Sequence, residues 1–230
     1  MAEPSKSEAR AVDGQFWSDL GMKYEEAYGQ DDALVMVVQK WLSLLPPAAS
    51  VLECGCGTGK PIARTIADGG YRYHGIDLAS GMVALCQRQV PEGSYEVVNM
   101  LDYVPKIEYD GAVASLSHFE LSPQEHVEMA RKWFEWLRPG GFMLLSTIDG
   151  EDWYGAKSFD PETGSASGME NVFLGNKIII TMFTQKGWRK LLEDAGFDVV
   201  YIETDLFKPK AKDAPEEPRY YIIAKKPATA

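Results

Sequence analysis

The stretch Val51-Leu52-Glu53-Cys54-Gly55-Cys56-Gly57-Thr58-Gly59 determines the fold class of this chain. It begins as a short apolar strand, predicted over residues 50–54, and then runs directly into glycines. Because glycine carries no Cβ atom, these positions allow a sharp turn and a close approach of the backbone to a ligand. A helix is predicted from about Gly59 to Asp68. The stretch is therefore a strand, a glycine-rich loop and a helix, an arrangement typical of ligand-binding α/β proteins.

Strands and helices alternate on both sides of this unit. The predicted strands cover residues 50–54, 72–76, 95–98, 111–116, 142–148, 197–203 and 219–224, and the predicted helices begin near residues 32, 59, 80, 123 and 185. This alternation implies an α/β fold with a mostly parallel sheet and helices on both faces. The last two strands have no helix between them, so we expect an antiparallel hairpin at the C-terminal edge of the sheet.

Polar residues mark the starts of three of these helices. Asp31 and Asp32 are candidate N-caps for a helix that runs to Leu45. The run Ser122-Pro123-Gln124-Glu125 forms a capping box with proline at the first helical position. Thr184 is expected to cap the last helix.

The length of 230 residues is suited to one domain. Residues 1–13 are polar and rich in Ala, Glu and Ser, and we expect them to form a disordered arm. Residues 14–230 are expected to form a single domain. Within it, residues 149–183 interrupt the alternation, being long for a connection and rich in Gly, Ser and aromatic residues. They are interpreted as a functional insertion.

Charge and cysteine content narrow the classes of partner. With 34 acidic and 23 basic residues the net charge is −11, so we expect no nucleic-acid and no membrane partner, since both need clustered Lys and Arg. No stretch approaches the ~18 apolar residues of a membrane span, and the N-terminal segment lacks the apolar region of a signal peptide. Cys54, Cys56 and Cys86 show no disulfide framework and no zinc pattern, which predicts reduced thiols, a cytoplasmic location and no metal site.

Asp77 ends the second predicted strand, 18 residues after Gly59. An acidic residue at this sheet edge can accept both hydroxyls of a ribose, which would also suit NAD. The NAD alternative is disfavoured because Glu53 lies where a pyrophosphate would meet a carboxylate. The spacing Gly55-x-Gly57-x-Gly59 also differs from the NAD pattern, and the C-terminal hairpin is foreign to two mononucleotide-binding halves. A carboxylate at Glu53 suits a cationic ligand with an ammonium group and a sulfonium, and the remaining alternative is a structural turn without a ligand.

Glu53-Cys54-Gly55-Cys56-Gly57-Thr58-Gly59 resembles motif I of the class I S-adenosylmethionine-dependent methyltransferases, in particular those that act on small molecules. Four further segments are similar to segments of this family in the same order: residues 75–79 at the ribose-binding strand end, 99–102 around adenine, 138–141 before the fifth strand, and 183–197, found in many small-molecule members. The resemblance covers residues 50–225. It implies a Rossmann-like sheet of seven strands, parallel except for one reversed edge strand.

The resemblance implies that S-adenosylmethionine is the cofactor and S-adenosylhomocysteine the product. The residues expected to hold the cofactor are Tyr24, Glu53, Gly55, Cys56, Gly57, Asp77, Leu78, Met82, Met100, Leu101, Asp102 and Ser115. Within this set Asp77 would bind the ribose, Asp102 would bind the exocyclic amine of adenine, and Met100 and Leu101 would line the ring.

The family places residues 114–120 beside the methionine portion of the cofactor. His118 is the candidate general base, because the reference pKa of histidine is about 6.5; the alternative is a histidine that only positions cofactor or backbone. His74 and His126 are expected to be structural or surface groups. The segment lacks the Asn/Asp-Pro-Pro-Tyr motif of nucleobase methyltransferases and many protein amide methyltransferases, which disfavours those substrates.

Two aromatic-rich segments are expected to enclose the acceptor. Residues 14–45 would form a helical lid, as in similar family members, and residues 149–183 would cover the acceptor site. Their aromatic and large apolar residues include Phe16, Trp17, Tyr24, Tyr28, Trp153, Tyr154, Phe159, Met169 and Phe173. The predicted acceptor contacts are Trp17, His118, Trp153 and Tyr154. The alternatives are an added helix that only packs and a surface excursion of the insertion.

The function expected from these features is methyl transfer from S-adenosylmethionine to a small molecule, to oxygen first and then to nitrogen or sulfur. The alternative is a cofactor-binding protein of the same fold that catalyses a reaction other than methyl transfer or has a regulatory role. A monomer or a homodimer is expected.

Overall fold

The structure is a computed structural model that describes the backbone of residues 6–211 and 214–228, and side chains from residue 14 onward within those ranges. The helices are α1 (Lys6–Tyr28), α2 (Asp32–Leu42), α3 (Ile62–Asp68), α4 (Ser80–Gln89), α5 (Pro123–Trp136), α6 (Gly150–Tyr154) and α7 (Gln185–Asp194). The strands are β1 (Ser50–Cys54), β2 (Arg72–Asp77), β3 (Ser94–Val97), β4 (Tyr109–Ser115), β5 (Leu137–Ile148), β6 (Ser165–Phe173), β7 (Asn176–Phe183), β8 (Asp198–Phe207) and β9 (Glu217–Lys225). A short 3-10 turn, Ala156–Ser158, follows α6.

Seven strands form the central sheet in the order β3-β2-β1-β4-β5-β9-β8. The first five strands are mutually parallel, and β9 runs antiparallel to both β5 and β8. The predicted α/β class, the mostly parallel sheet and the C-terminal edge hairpin are confirmed. The reversed strand is β9, which lies one place in from the edge, because β8 occupies the edge itself.

Side chains of the central strands alternate between two cores, one on each face of the sheet. Leu52, Ala112 and Leu145 pack with α5 and α7 on one face, as part of a cluster that includes Trp133 and Trp188. Their strand neighbours Val51, Val113 and Leu144 pack on the other face with α2, α3 and α4. Successive strand residues point to opposite faces of the sheet. Because helices cover both faces, residues on both must be apolar, and each strand therefore reads as an apolar run.

The predicted helix caps are present. Asp31 accepts a hydrogen bond from the Leu34 backbone N–H at 2.8 Å, and Ser122 and Glu125 form the reciprocal capping box of α5. Thr184 accepts from the Gly187 N–H at 2.9 Å at the start of α7.

The two segments outside the regular alternation are more ordered than expected. Helix α1 begins at Lys6, so residues 6–13 have a helical backbone where a disordered arm was predicted; residues 1–5 of that arm lie outside the described residues. The helix breaks at Gly21, whose backbone angles (φ 45°, ψ −121°) are not helical. The insertion contains the antiparallel hairpin β6–β7, a separate two-stranded sheet that the sequence pattern did not predict.

No helix in the described part of the chain combines the length and the apolar character that crossing a membrane requires.

Candidate cofactor and acceptor site

A cavity opens at the carboxyl ends of β1, β2 and β4, beneath α1 and the β6–β7 hairpin. Its empty space is about 1400 Å³, including the part open to solvent. Its walls combine residues of the sheet edge with aromatic residues of α1 and the hairpin, among them Trp17, Tyr24, Gly55, Gly57, Asp77, Leu78, Met82, Met100, Ser115, Phe173 and Ile178. Residues of the glycine loop and aromatic residues of α1 and the hairpin therefore face one cavity.

The glycine loop is fixed by backbone hydrogen bonds to β2. The N–H groups of Gly55 and Cys56 both donate to the Ile76 carbonyl, at 2.8 and 3.0 Å. Gly55 has φ +81°, and a Cβ atom there would lie 2.2 Å from the Ser117 Cβ, so only glycine fits. Gly57 has φ +50°, and a Cβ atom there would meet nothing within 4 Å. Since Gly57 lines the cavity, its missing side chain leaves the backbone exposed to a ligand.

Asp77 lies beside this loop with both carboxylate oxygens engaged. Oδ2 accepts from the Gly57 N–H at 2.9 Å and Oδ1 accepts from the Ala79 N–H at 2.9 Å. Each carboxylate oxygen has a second lone pair that can accept a ribose hydroxyl. Loss of hydration raises the pKa of Asp77 above its usual range, and the backbone donors oppose that rise.

Apolar side chains form the wall next to Asp77. Leu78, Met82 and Met100 line the cavity, as expected of residues that hold an adenine ring. Leu101 and Asp102 do not line it. Leu101 packs into the core beneath α5, and Asp102 is exposed, because the turn that follows Met100 directs both side chains away from the cavity.

A smaller compartment adjoins the cavity at the glycine loop, since Gly55 and Gly57 line both. Glu53 and Cys56 line it, together with Tyr24, Lys60 and Arg219. Glu53 is 3% exposed and accepts a hydrogen bond from the Tyr73 hydroxyl at 2.5 Å. Burial raises the pKa of Glu53 well above its usual range.

The cysteines of the loop are small residues in a tight turn. Cys54, Cys56 and Cys86 are buried free thiols, and burial raises the pKa of Cys54 to about 12. Such a thiol is protonated at neutral pH and is a poor nucleophile. Among the described residues, no group of three or more His, Cys, Asp or Glu side chains could hold a metal ion.

Aromatic side chains wall the outer part of the cavity. The Phe173 ring of the hairpin stacks on Tyr28 with ring centroids 5.3 Å apart and lies 5.5 Å from Trp17. Tyr24 stacks on Tyr28 at 5.3 Å. The Trp17 Nε1–H donates to Glu120 at 3.2 Å, which joins α1 to the segment after β4. Trp17 therefore lines the outer part of the cavity.

A buried ion pair lies at the start of β9. Glu217 lines the cavity, accepts a hydrogen bond from the Tyr28 hydroxyl at 3.0 Å and pairs with Arg219 at 2.8 Å. Burial raises the pKa of Glu217, and the Arg219 charge opposes the rise. These two residues were not predicted as site residues. The sequence feature that could have identified them is their charge at the start of a strand that is otherwise apolar.

His118 does not reach the cavity. Its side chain is fully buried against Trp188 and His126, with ring centroids 4.9 and 5.7 Å away, and its Nε2 lies 3.2 Å from the Thr147 hydroxyl. Burial lowers the pKa of His118 well below its usual range. A general base must contact the acceptor, so the structure does not place His118 in the role predicted for it. The neighbouring Phe119 and Glu120 line the cavity instead, because Leu116 takes φ 54° and turns the chain.

Trp153 and Tyr154 also lie away from the cavity. Both pack against the apolar cluster beneath the hairpin that contains Phe159 and Met182. The insertion reaches the cavity through other side chains, namely Asn171, Phe173, Ile178 and Ile180 of the hairpin.

Comparison with known proteins relates part of the chain to methyltransferases. Residues 51–141 match the family model described as a methyltransferase domain. This matched segment is less than half of the chain, and it is similar to methyltransferase domains. No curated protein matches the chain.

Solved structures show that the fold extends beyond the matched segment. One is the 1,6-didemethyltoxoflavin-N1-methyltransferase of Burkholderia thailandensis, solved with bound 1,6-didemethyltoxoflavin and S-adenosylhomocysteine. It is 18% identical to this chain with a TM-score of 0.70, and the match covers 99% of this chain and 92% of that one. The cyclase SpnF is 17% identical with TM-score 0.70, covering 95% and 97%. A methyltransferase from Methanosarcina mazei is 21% identical with TM-score 0.65, covering 83% and 97%. These likenesses show a shared fold.

The residues present fit the cofactor. Asp77 has lone pairs for a ribose, the apolar wall of Met82 and Met100 suits an adenine, and the open position at Gly57 admits the methionine portion attached to the ribose. The smaller compartment supplies both a carboxyl group and a guanidinium beyond the glycine loop.

Proposed function

We propose that this enzyme transfers a methyl group from S-adenosylmethionine to a small aromatic or amphipathic molecule, to oxygen first and then to nitrogen or sulfur. The observation that carries the proposal is that the cavity extends from the glycine loop to an outer part whose walls are Trp17, Tyr28 and Phe173. A protein that only held the cofactor would have no need of this additional space.

The residues of this compartment bind and orient the acceptor. When bound, S-adenosylmethionine supplies an activated methyl group. The aromatic faces and Ile178 hold a flat, apolar acceptor and exclude water, which aligns the attacking atom and restricts its motion. Glu217, with its carboxylate at the cavity wall, replaces His118 as the candidate group to accept a proton from an acceptor O–H or N–H.

We further propose that residues 14–45 act as a lid and that residues 149–183 shape the acceptor site. Helix α1 and the hairpin meet over the cavity through the contacts of Phe173 with Trp17 and Tyr28. This arrangement, together with the net charge of −11, supports a small-molecule partner for a monomer or homodimer.

The second candidate is a reaction other than methyl transfer, favoured by the likeness of the fold to that of the cyclase SpnF. In that case the cofactor would remain bound and unchanged. The two candidates differ in whether S-adenosylhomocysteine is formed.

The test uses S-adenosylmethionine with a labelled methyl group and three sets of aromatic acceptors: phenols, amines and thiols. We expect S-adenosylhomocysteine to form in step with a methylated product, with the phenols reacting fastest. Phe173→Ala should raise the KM for the acceptor and leave the affinity for S-adenosylhomocysteine unchanged. The matched control is Val172→Ala on the same strand, since Val172 is 69% exposed. Cofactor binding without transfer to any acceptor would overturn the proposal and favour the second candidate.

A further inference from the structure

Glu217 and Arg219 present opposite charges to two different compartments. They stand two residues apart in β9 and therefore share one face of the strand. Glu217 lines the large cavity, whereas Arg219 lines the smaller compartment beside the glycine loop. The pair therefore stands where the two spaces adjoin, since Gly55 and Gly57 line both of them.

The Arg219 guanidinium has donors that no described residue uses. Its Nη2 bonds to Glu217 at 2.8 Å, but Nε and Nη1 are buried and have no hydrogen-bond partner among the described residues. The side chain is only 1% exposed. A buried N–H without an acceptor is costly, more so when the group is charged, so this arrangement favours a ligand that supplies acceptor oxygens.

Neighbouring groups hold the guanidinium in place. The Phe207 ring lies beneath it, with the Arg219 Cζ 4.6 Å from the ring centroid, and Glu217 is itself fixed by the Tyr28 hydroxyl. Arg219 therefore cannot satisfy its remaining donors by turning to solvent.

The chemistry of the smaller compartment matches an α-amino acid group. It offers the Glu53 carboxyl to an ammonium and the Arg219 guanidinium to a carboxylate. Burial raises the pKa of Asp31, the second carboxyl group lining it, which reduces the repulsion of an anion by this group. Burial also raises the pKa of Tyr24 to about 12, so this phenol stays protonated and can donate to the same anion.

We propose that Arg219 binds the carboxylate of the methionine portion of the cofactor. Lys60 also lines the compartment, but its ammonium pairs with Glu25 at 3.2 Å and its side chain is 45% exposed. Arg219 has the better position, because it is buried and already lies beside the loop that holds the cofactor. This inference rests on the cofactor of the proposed function and does not depend on the acceptor.

The test compares two ligands that differ only at the proposed contact. S-adenosylhomocysteine contains the amino acid portion, whereas 5′-methylthioadenosine keeps the adenosine and the sulfur and lacks that portion. Their affinities for the full chain are measured by isothermal titration calorimetry with the wild type, Arg219→Gln and Arg219→Lys. Lys60→Gln is the matched control, because it removes the other cationic side chain lining the compartment.

We expect Arg219→Gln to weaken S-adenosylhomocysteine binding by about tenfold or more, the effect typical of a charged hydrogen bond, and to leave 5′-methylthioadenosine unchanged. Arg219→Lys should recover part of the loss, and Lys60→Gln should change either affinity less than about threefold. Equal weakening of both ligands would show a structural role for Arg219 and overturn the proposal. An unchanged affinity for S-adenosylhomocysteine, or a selective loss in Lys60→Gln alone, would overturn it as well. Failure of the wild type to bind either ligand would instead refute the proposed cofactor, and no result depends on the identity of the acceptor.

Discussion

Replacement of Asp77 tests the cofactor site most directly. The carboxylate performs two tasks: it accepts the backbone N–H groups of Gly57 and Ala79, and its remaining lone pairs face the cavity. Asp77→Ala removes both tasks. Asp77→Asn keeps one carbonyl oxygen but turns an NH₂ group toward one of the two backbone donors.

The magnitude follows from the number of hydrogen bonds lost. Two ribose hydroxyls bonded to a carboxylate contribute about 1.5–3 kcal/mol each, which for the pair is roughly 10²- to 10⁴-fold in the dissociation constant. The loss of the two backbone contacts is partly offset by the removal of a poorly hydrated charge, so the free energy of unfolding should fall by no more than about 3 kcal/mol. The expected effect on binding is therefore larger than the effect on stability.

Calorimetry with S-adenosylhomocysteine measures the first quantity and urea denaturation the second. The matched control is Asp68→Asn, since this carboxylate is 66% exposed and lies at the end of α3. We expect Asp77→Asn to fall between Asp77→Ala and the wild type. An Asp77→Ala protein that still binds within about threefold of the wild type would refute the assignment of Asp77 to the ribose.

Three further predictions concern the same edge of the sheet and the core beneath it. Gly55→Ala should destabilise the protein in urea by clearly more than Gly140→Ala, because both positions have positive φ but only Gly55 has a neighbour within 4 Å of the added Cβ. Asp102→Asn should change S-adenosylhomocysteine affinity less than about threefold in calorimetry, since this side chain is exposed and does not line the cavity. Burial lowers the pKa of His126 to about 4. The folded protein therefore favours the neutral imidazole, and the resulting stability is fully present above the ordinary pKa of histidine. This stability is lost as the pH falls from that value toward 4. The difference in unfolding free energy between wild type and His126→Gln, measured by urea titrations across that range, should therefore change by up to about 3 kcal/mol, and a constant difference would contradict the buried neutral state.

The sequence predicted those parts of the fold that depend on local pattern. The caps at Asp31, Ser122 and Thr184 lie where expected, because a capping side chain bonds to backbone only a few residues away. The glycine loop was predictable for the same reason, since positive φ and strand-to-helix order are local properties. The hairpin β6–β7 was not predicted, because β6 has mixed polarity with no regular alternation and its pairing with β7 gives it its strand conformation.

The same distinction between local and non-local features applies to the predicted site residues. Gly55, Gly57 and Asp77 line the cavity, since the ends of parallel strands meet at one edge whatever the details of packing. His118 and Trp153 do not line it, because the direction of a side chain in a loop depends on backbone turns that residue type does not indicate. Phe173 lines the cavity although its sequence position, 100 residues or more from the glycine loop, carries no sign of that contact.

Arg219 illustrates a more general consequence of the topology. In a parallel sheet the site lies at the carboxyl ends of the strands, so a search of the sequence looks at the residues that follow each strand. A reversed strand presents its first residues at that same edge, and here the pairing of Arg219 with Ile148 at the end of β5 brings Glu217 and Arg219 beside the glycine loop. Charged residues at the start of an otherwise apolar reversed strand are therefore candidates for the site, even when they precede the strand's buried run. In this protein that reasoning points to the two buried charges at the start of β9.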